Sequence, residues 1–230
     1  MSMAEHLQLY LVMGSQNCYQ DPIEVLQKAI QGGVTCFQYR EKGSGAKVGS
    51  ERGELGLHFK EACHSYGIPF IVNDDVNLAM ELEADGVHIG QEDGMVQEIR
   101  SLIGSERLLG VSAHNVHEAE KAIKEGADYI GVGPMFHTST KKDTEQVRGP
   151  IVIREIREVF PDFPVVGIGG ISKRNAYDVV SSGANGVAVI SAISQAENAI
   201  IAAQELKQEV EYGVLTEKSN VIRNLIKSED

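Results

Sequence analysis

The segment Pro164-Val165-Val166-Gly167-Ile168-Gly169-Gly170 is a short apolar run that ends in two glycines, and Gly186-Val187-Ala188-Val189-Ile190-Ser191 follows it with a similar form. Short runs that are apolar throughout predict strands buried on both faces, as in a parallel sheet covered by helices. Ala176 to Val180, between the two runs, has apolar residues at helical spacing. In (β/α)8 barrels the loops after the seventh and eighth strands often hold phosphate. These two runs therefore predict the last two strands of a barrel.

The same alternation of apolar runs and helical segments extends to the N-terminal part of the chain. Six more runs occupy residues 9–13, 34–39, 68–72, 86–89, 108–112 and 129–132. Eight strands, each followed by a helix, within 230 residues match the size of a (β/α)8 barrel. We therefore predict an α/β fold, a single (β/α)8 TIM barrel over residues 1–212 that forms one catalytic domain, with residues 213–230 as a polar C-terminal tail. A doubly wound parallel sheet is the alternative.

The chain carries 33 acidic and 21 basic residues, so its formal net charge is −12. An acidic protein is unsuited to nucleic acid, which binds basic faces, and equally to anionic membranes. No run reaches the roughly 18 apolar residues of a membrane span, and the N-terminus lacks the basic-then-apolar layout of a signal peptide. We therefore expect no nucleic-acid partner, no membrane partner and a cytoplasmic location.

The three cysteines, Cys18, Cys36 and Cys63, are an odd number and lack the spacing of metal ligands. Cys36 lies within an apolar run, which predicts a small buried residue. Plain thiols are typical of proteins in the reducing cytosol. The sequence has no Cys-x-x-Cys motif and its seven histidines are scattered, so we predict no zinc site.

Charged residues of both signs follow the predicted strands. In a barrel, functional side chains lie at the carboxyl ends of the strands and in the loops that follow. This rule places the cations Arg40, Lys42 and Lys141 on the same rim as the carboxylates Asp74 and Asp93. Proteins usually hold Mg²⁺ with one or two carboxylates plus phosphate oxygens of the substrate, and Arg and Lys bind the remaining oxygens. The set predicts a site for a Mg²⁺-bound polyphosphate, although any one of these residues alone could be a solvated surface charge.

A second anion site is predicted after the last two strands. The glycines of Gly167-Ile168-Gly169-Gly170 let backbone N–H groups approach an anion, and the helix that follows adds positive charge at its N-terminus. Ile190 and Ser191, after the eighth strand, would close the same pocket. Close packing of a strand against a helix is the alternative role for these glycines.

Two histidines are alternative acid–base groups. His88 lies inside an apolar strand, where a hydrogen-bonded core histidine is the commoner outcome. His114 follows Ser112 by two residues, an arrangement that would suit a hydrolase pair. No nucleophile elbow or oxyanion motif accompanies these two residues, so the sequence argues against a hydrolase.

Six strand ends together resemble those of the thiamine-phosphate synthase family, whose members are also called thiamine-phosphate pyrophosphorylases. The motifs are Gln38-Tyr39-Arg40-Glu41-Lys42, Val72-Asn73-Asp74-Asp75, Val87-His88-Ile89-Gly90-Gln91-Glu92-Asp93, Gly110-Val111-Ser112-Ala113-His114, Thr138-Ser139-Thr140-Lys141 and Gly167-Ile168-Gly169-Gly170-Ile171. Each motif is short, but their joint order and spacing are specific. The resemblance extends from about residue 9 to residue 210.

This resemblance implies a transferase of thiamine biosynthesis that acts on small phosphorylated molecules. Family members join hydroxymethylpyrimidine diphosphate to a thiazole phosphate, with Mg²⁺ as cofactor, and form thiamine phosphate and diphosphate. The family reaction is dissociative: diphosphate leaves, a pyrimidine-methyl cation forms, and the thiazole nitrogen captures it.

The resemblance also implies a role for each matching residue. The pyrimidine diphosphate would be bound by Gln38, Tyr39, Arg40, Glu41, Lys42, Asn73, Ser112 and Lys141. The thiazole phosphate would be bound by Thr138, Ser139, Thr140, Gly170, Ile190 and Ser191. Asp74 and Asp93 would carry Mg²⁺, and the catalytic residues would be Arg40, Lys42, Ser112 and Lys141.

One residue departs from the family pattern, since His137 precedes Thr138 where the family often has proline. Proline would stiffen this loop, so we expect looser loop closure over the substrate. A paralogous thiazole tautomerase is an alternative, but that group typically lacks part of the diphosphate-binding set, which is complete here. A regulatory protein that binds a phosphorylated ligand is the non-enzyme alternative, and it would not need both the metal carboxylates and a second phosphate site. The sequence leaves open whether the chain forms a homo-oligomer.

Overall fold

The computed structural model describes residues 1–138 and 147–228. The strands are β1 (Leu9–Met13), β2 (Cys36–Tyr39), β3 (Phe70–Asn73), β4 (Gly86–Ile89), β5 (Leu108–Ala113), β6 (Tyr129–Val132), β7 (Val165–Ile168) and β8 (Gly186–Val189). They pair in parallel and in chain order, and β8 pairs back with β1 to close a barrel. Closure confirms the predicted (β/α)8 barrel, because a doubly wound sheet stays open.

Helices cover the outside of this barrel. They are α1 (Met3–His6), α2 (Pro22–Gln31), α3 (Gly49–Tyr66), α4 (Val76–Glu81), α5 (Val96–Ile103), α6 (Val116–Lys124), α7 (Ile151–Val159), α8 (Ala176–Val180), α9 (Ser191–Ser194) and α10 (Ala199–Ser228). Within residues 1–138 and 147–228, none of them is long and apolar enough to cross a membrane.

Three helix boundaries differ from what the sequence pattern suggests. The apolar spacing of α3 starts only at Leu55, but the helix begins at Gly49, because its first turns are polar and the sequence pattern does not show them. The single turn α1 is too short to show apolar periodicity, and its first turn is closed by a capping box between Ser2 and Glu5. Helix α10 continues across residue 212 to Ser228, so the predicted division of the chain falls within a helix and stays a prediction.

Side chains alternate along each strand and so form two separate apolar cores. Tyr10, Cys36 and Tyr129 face inward and fill the lower part of the barrel. Phe37 and Tyr39 on β2 face outward and pack in the layer between strands and helices. The inward core leaves the carboxyl-terminal end of the barrel open for a site.

A repeated hydrogen-bonded clasp joins neighbouring strands at the opposite, amino-terminal end. In each clasp a side-chain oxygen directly before an even-numbered strand accepts a hydrogen bond from a backbone N–H at the start of the preceding strand. The pairs are Thr35 with Leu9 (2.9 Å), Asp85 with Phe70 (2.8 Å), Asp128 with Leu109 (2.7 Å) and Asn185 with Val165 (2.8 Å). The barrel is therefore built from four equivalent two-strand units.

In each clasp, the residue two positions before the one that carries the accepting oxygen has a positive φ. Three of these residues are Gly33, Gly126 and Gly183, with φ of 111°, 102° and 106°. The fourth is Glu83, with φ of 49°. A residue with a Cβ in the left-handed region costs roughly 1–2 kcal/mol. The second unit of the barrel therefore contains a backbone strain that the other three units avoid.

Candidate active site

A cavity of about 530 Å³ opens at the carboxyl-terminal end of the barrel, and all eight strands contribute to its lining. The predicted site residues that line it are Gln38, Arg40, Lys42, Asn73, Asp74, Asp93, Ser112, Thr138, Gly170, Ile190 and Ser191. Ser139, Thr140 and Lys141 lie outside the described residues. The fold thus brings residues of both predicted phosphate sites to a single cavity.

Tyr39, a predicted substrate-binding residue, lies outside this cavity. Strand side chains alternate, so Gln38 and Arg40 face the cavity while Tyr39 faces α3. Its hydroxyl donates a hydrogen bond to the carbonyl of Arg52 at 2.9 Å. The structure therefore gives Tyr39 a place in the outer core and not in the site.

Glu41, another predicted substrate-binding residue, also lies outside the cavity and is buried. Its carboxylate accepts hydrogen bonds from the backbone N–H of Ser15 (2.7 Å), the hydroxyl of Ser15 (2.6 Å) and the backbone N–H of Lys47 (2.7 Å). The neighbouring Gln16 donates to the carbonyl of Arg40 at 3.1 Å. These contacts tie the loop after β1 to the loop after β2, so Glu41 supports the loop that carries the cations.

Two carboxylates and an ammonium group meet on one side of the cavity. Lys42 Nζ lies 2.8 Å from Asp74 Oδ2, and the carboxylate of Asp93 is next to that of Asp74. Burial, together with the neighbouring Asp93, raises the pKa of Asp74 above its usual value, although Lys42 opposes the shift. The hydrogen bond to Asp74 in turn raises the pKa of Lys42. Carboxylates placed this close repel each other, and a cation between them would remove that repulsion.

The backbone of Asp74 is held in an uncommon conformation. Its φ is 60°, and its N–H donates to the carbonyl of His88 at 2.8 Å. Asn73 Nδ2 donates to Asp74 Oδ1 at 2.6 Å, which fixes the carboxylate. The other amide atom, Asn73 Oδ1, is buried and finds no partner among the described residues. An uncommon backbone conformation at Asp74 and an unpaired acceptor on Asn73, both in a cavity wall, are typical of a ligand site.

The glycines after β7 lie directly against the loop after β6. Gly170 has φ of 66°, and a Cβ there would lie 2.6 Å from the carbonyl oxygen of His137. The N–H of Phe136 donates to the carbonyl of Gly169 at 3.0 Å. Gly170 therefore permits the loop after β6 to approach, and this packing role exists beside the predicted role in phosphate binding.

Comparison with known proteins identifies the family. Residues 9–193 match the family model described as thiamine monophosphate synthase. The chain belongs to this family. The match includes every strand of the barrel and therefore the whole cavity.

Relatives of the thiamine monophosphate synthase family agree with this match over most of the chain. The thiamine-phosphate synthases of Bacillus cereus and Bacillus velezensis are each 51% identical over 208 residues, which are 90% of this chain and 92% of each relative. The solved structure of a thiamine phosphate pyrophosphorylase from Pyrococcus furiosus is 34% identical, with a TM-score of 0.82. It covers 93% of this chain and 100% of that chain.

The structure pairs Ser112 with His88 and not with His114. His88 Nδ1 lies 3.2 Å from the Tyr129 hydroxyl, and its Nε2 lies 3.1 Å from Ser112 Oγ. His114 Nδ1 lies 2.8 Å from a carboxylate oxygen of Glu118 on α6. The arrangement gives no support to a Ser112–His114 hydrolase pair, as expected for a thiamine monophosphate synthase.

Sequence reasoning gave no role to several residues in or next to the site, Tyr10, Gln91 and Tyr129 among them. Tyr10 and Gln91 line the cavity, and Tyr129 is buried beneath it. Gln91 follows β4, and its amide donates to the carbonyl of Ser112 at 2.6 Å. Tyr10 could have been found from strand alternation, because it is two residues from the inward-facing Val12. No local pattern predicts the contact of Tyr129 with Tyr10, which are 119 residues apart in the chain.

Proposed function

We propose that the chain acts as a thiamine-phosphate synthase on 4-amino-2-methyl-5-hydroxymethylpyrimidine diphosphate and 4-methyl-5-(2-phosphooxyethyl)thiazole. The observation that carries this proposal is that one cavity combines Asp74, Asp93 and Lys42 on one side with Gly170 and Ser191 on the other. The first group suits a metal-bound diphosphate, and the second suits a phosphate without metal.

Mg²⁺ fits the donor set at Asp74 and Asp93. Both carboxylates supply the hard oxygen atoms that Mg²⁺ prefers, and their mutual repulsion favours a cation between them. No cluster of three or more His, Cys, Asp or Glu side chains suited to a metal occurs in the described part of the chain. The remaining ligands would therefore come from the diphosphate and from water. When bound, Mg²⁺ supplies positive charge to the diphosphate oxygens.

The protein residues would promote a dissociative substitution. The bond between the pyrimidine methylene carbon and the bridging oxygen breaks, and its electron pair leaves with diphosphate. The thiazole nitrogen then donates its lone pair to the methylene carbon, which gives thiamine phosphate. Arg40 and Lys42 would stabilise the negative charge that grows on the leaving group, and the sequence assigns Lys141 to the same task. Gly170, Ile190 and Ser191 would position the thiazole phosphate.

The cellular setting is part of the same proposal. All three cysteines are free, with Cys36 and Cys63 buried and Cys18 half-buried. Together with the net charge of −12, this supports a cytoplasmic protein whose partners are small phosphorylated molecules and not nucleic acid or membranes. A homo-oligomer is compatible with this setting.

The test is to mix the protein with both half-substrates and Mg²⁺ and to measure diphosphate and thiamine phosphate as they form. We expect the two products in equal amounts, and no product when either half-substrate or Mg²⁺ is omitted. Turnover of a thiazole phosphate alone would instead identify a tautomerase. Tight binding of one phosphorylated ligand without any turnover would identify a regulatory binding protein.

A further inference from the structure

Five hydrogen-bonding side chains form a continuous chain across the inside of the barrel, at the floor of the cavity. Gln38 Nε2 donates to the Tyr10 hydroxyl at 2.9 Å, and this hydroxyl lies 2.8 Å from that of Tyr129. Tyr129 contacts His88 Nδ1 at 3.2 Å, and His88 Nε2 contacts Ser112 Oγ at 3.1 Å. We call these five residues the core chain. Its two ends, Gln38 and Ser112, line the cavity together with Tyr10 and His88, whereas Tyr129 does not.

The direction of the core chain follows from the number of protons that each group can donate. A tyrosine hydroxyl has one proton, and a neutral imidazole has one N–H. Because Tyr10 accepts from Gln38, its own proton is available for Tyr129, and the Tyr129 proton is then available for His88 Nδ1. The thiol of Cys36 also contacts Tyr10, but sulfur is only a weak acceptor. The hydroxyl of Tyr129 is therefore the better partner for Tyr10.

The packing around the core chain preserves these protons and this geometry. Tyr10 and Tyr129 are fully buried, and burial raises the pKa of each hydroxyl well above its usual value, so both remain donors. Gly110 leaves the space for the contact of Tyr129 with His88, because a Cβ at Gly110 would overlap both side chains. A Cβ at Gly131 would lie 3.0 Å from His88 Cε1. Both glycines therefore leave the space that the imidazole of His88 occupies.

We infer that the core chain holds His88 as the neutral Nε2–H tautomer, so that His88 donates to Ser112 and the hydroxyl proton of Ser112 is directed into the cavity. Tyr129, which does not line the cavity, is then a positioning residue that acts on the substrate through His88 and Ser112. In the opposite tautomer, Nε2 would instead accept a hydrogen bond from the Ser112 hydroxyl, which would then present only an acceptor to the cavity. A donor suits the pyrimidine diphosphate, whose ring nitrogens and diphosphate oxygens are acceptors. The inference rests on the proposed function for the nature of this ligand.

The tautomer can be measured directly by nitrogen NMR of protein that carries isotope-labelled histidine. The signals of His88 are assigned by their loss in the variant His88→Gln. We expect a protonated Nε2 and an unprotonated Nδ1 in the native protein, and loss of this single state in Tyr129→Phe. A protonated Nδ1 with an unprotonated Nε2 in the native protein would overturn the inference. This measurement needs no substrate, so it stands even if the proposed function fails.

Kinetics then test whether Tyr129 acts through Ser112. Tyr129→Phe should lower kcat/KM for the pyrimidine diphosphate about tenfold, the effect of one lost hydrogen bond, and leave the KM for thiazole phosphate unchanged. In the background of Ser112→Ala the same substitution should change kcat/KM less than twofold, because the two residues form one unit. Equal fold-losses in both backgrounds would overturn the inference.

A matched control separates this effect from general damage. Tyr66→Phe also removes one tyrosine hydroxyl, which contacts Gln31 at 3.3 Å on the outside of the barrel. We expect this variant to keep native kinetics and the native His88 signals. Thermal melting of all variants shows whether each protein is folded at the assay temperature. If Tyr129→Phe melts below that temperature, Tyr10→Phe replaces it, since it breaks the same chain one step earlier and should show the same dependence on Ser112.

Discussion

Lys42 Nζ and Asp74 Oδ2 are 2.8 Å apart, so a cation expected to bind the diphosphate is paired with a carboxylate expected to bind the metal. The pair is only partly shielded from water, since the side chain of Lys42 is 60% exposed. Its contribution to stability is therefore small. The pair instead favours the ionised form of Asp74, against the effects of burial and of Asp93, and it can open when a metal and a diphosphate bind.

Asp74→Asn should stabilise the fold and abolish activity. Because the pKa of Asp74 is raised in the folded protein, its ionisation as pH rises costs more in the folded than in the unfolded state and lowers stability, and asparagine tolerates a positive φ well. We expect the melting temperature, measured in EDTA at neutral pH, to rise. A lower melting temperature would contradict this account. The native protein should also lose its activity in excess EDTA.

The kcat/KM of the native protein should fall towards acid pH, and the midpoint of this fall should lie above the usual pKa of aspartate. The carboxylate must be ionised to bind metal, and burial with Asp93 raises the pKa of Asp74. Lys42 opposes that shift, so Lys42→Met should move the acid limb of the kcat/KM profile to higher pH, whatever its effect on the maximal rate. A limb that stays in place, or that moves to lower pH, would show that another group controls it.

Glu41→Gln should lower both stability and activity, although Glu41 does not face the cavity. The carboxylate of Glu41 accepts from three donors, the N–H and O–H of Ser15 and the N–H of Lys47. Glutamine replaces one of its two acceptor oxygens by an NH₂ donor, which would face these donors. Unpaired buried donors cost about 1–3 kcal/mol, so the melting temperature should drop by several degrees. Arg40→Ala is the comparison, and it should reduce activity with little change in melting. Native stability in Glu41→Gln would mean that the loops are not held by this carboxylate.

Gly170→Val should raise the KM for thiazole phosphate at least tenfold. The positive φ of Gly170 and the nearby carbonyl of His137 leave no room for a branched side chain. We expect binding of the pyrimidine diphosphate, followed by calorimetry, to change much less. Simultaneous loss of both ligands with a large drop in melting temperature would assign a purely structural role to this glycine. Unchanged affinity for thiazole phosphate at native stability would refute the phosphate site.

Glu83→Gly should make the protein more stable without changing its kinetics. The substitution removes the left-handed strain at this clasp and makes it like the other three. The lost ion pair with Lys60 is small, because the Glu83 side chain is 80% exposed. We expect a gain of about 0.5–1 kcal/mol, read from chemical denaturation. Glu83→Gln removes only the ion pair and should give no gain, and Gly126→Ala should lose stability.

The regular parts of this fold were predictable because they repeat. Eight apolar runs separated by helical segments specify a parallel barrel, and strand ends then bring the charged motifs to one rim. The motif at residues 38–42 is contiguous, whereas strand side chains alternate, so the motif alone does not separate the cavity-facing residues from Tyr39 and Glu41. Gln38 and Arg40 face the cavity, and the two residues between and after them do not.

Contacts between distant strands were not predictable from the sequence. The core chain joins β1, β2, β4, β5 and β6, and it depends on space left by Gly110 inside the closed barrel. The start of α3 and the whole of α1 were missed for a different reason. The first turns of α3 are polar and α1 is a single turn of four residues, so neither segment shows an apolar stripe at helical spacing.

The two rims of the barrel differ in how they use the chain: the clasps at the amino-terminal rim are local, whereas the site at the carboxyl-terminal rim is not. Each clasp closes within one quarter of the barrel, over 15 to 26 residues of chain. The site, in contrast, takes Gln38 from the first quarter, Asp74 from the second, Ser112 from the third and Gly170 from the last. A fragment with one or two quarters would therefore keep its local cross-links yet have no complete site. Substrate binding therefore reports only on the closed barrel. If the barrel folds one quarter at a time, a ligand-binding assay would detect no intermediate before the last quarter is in place.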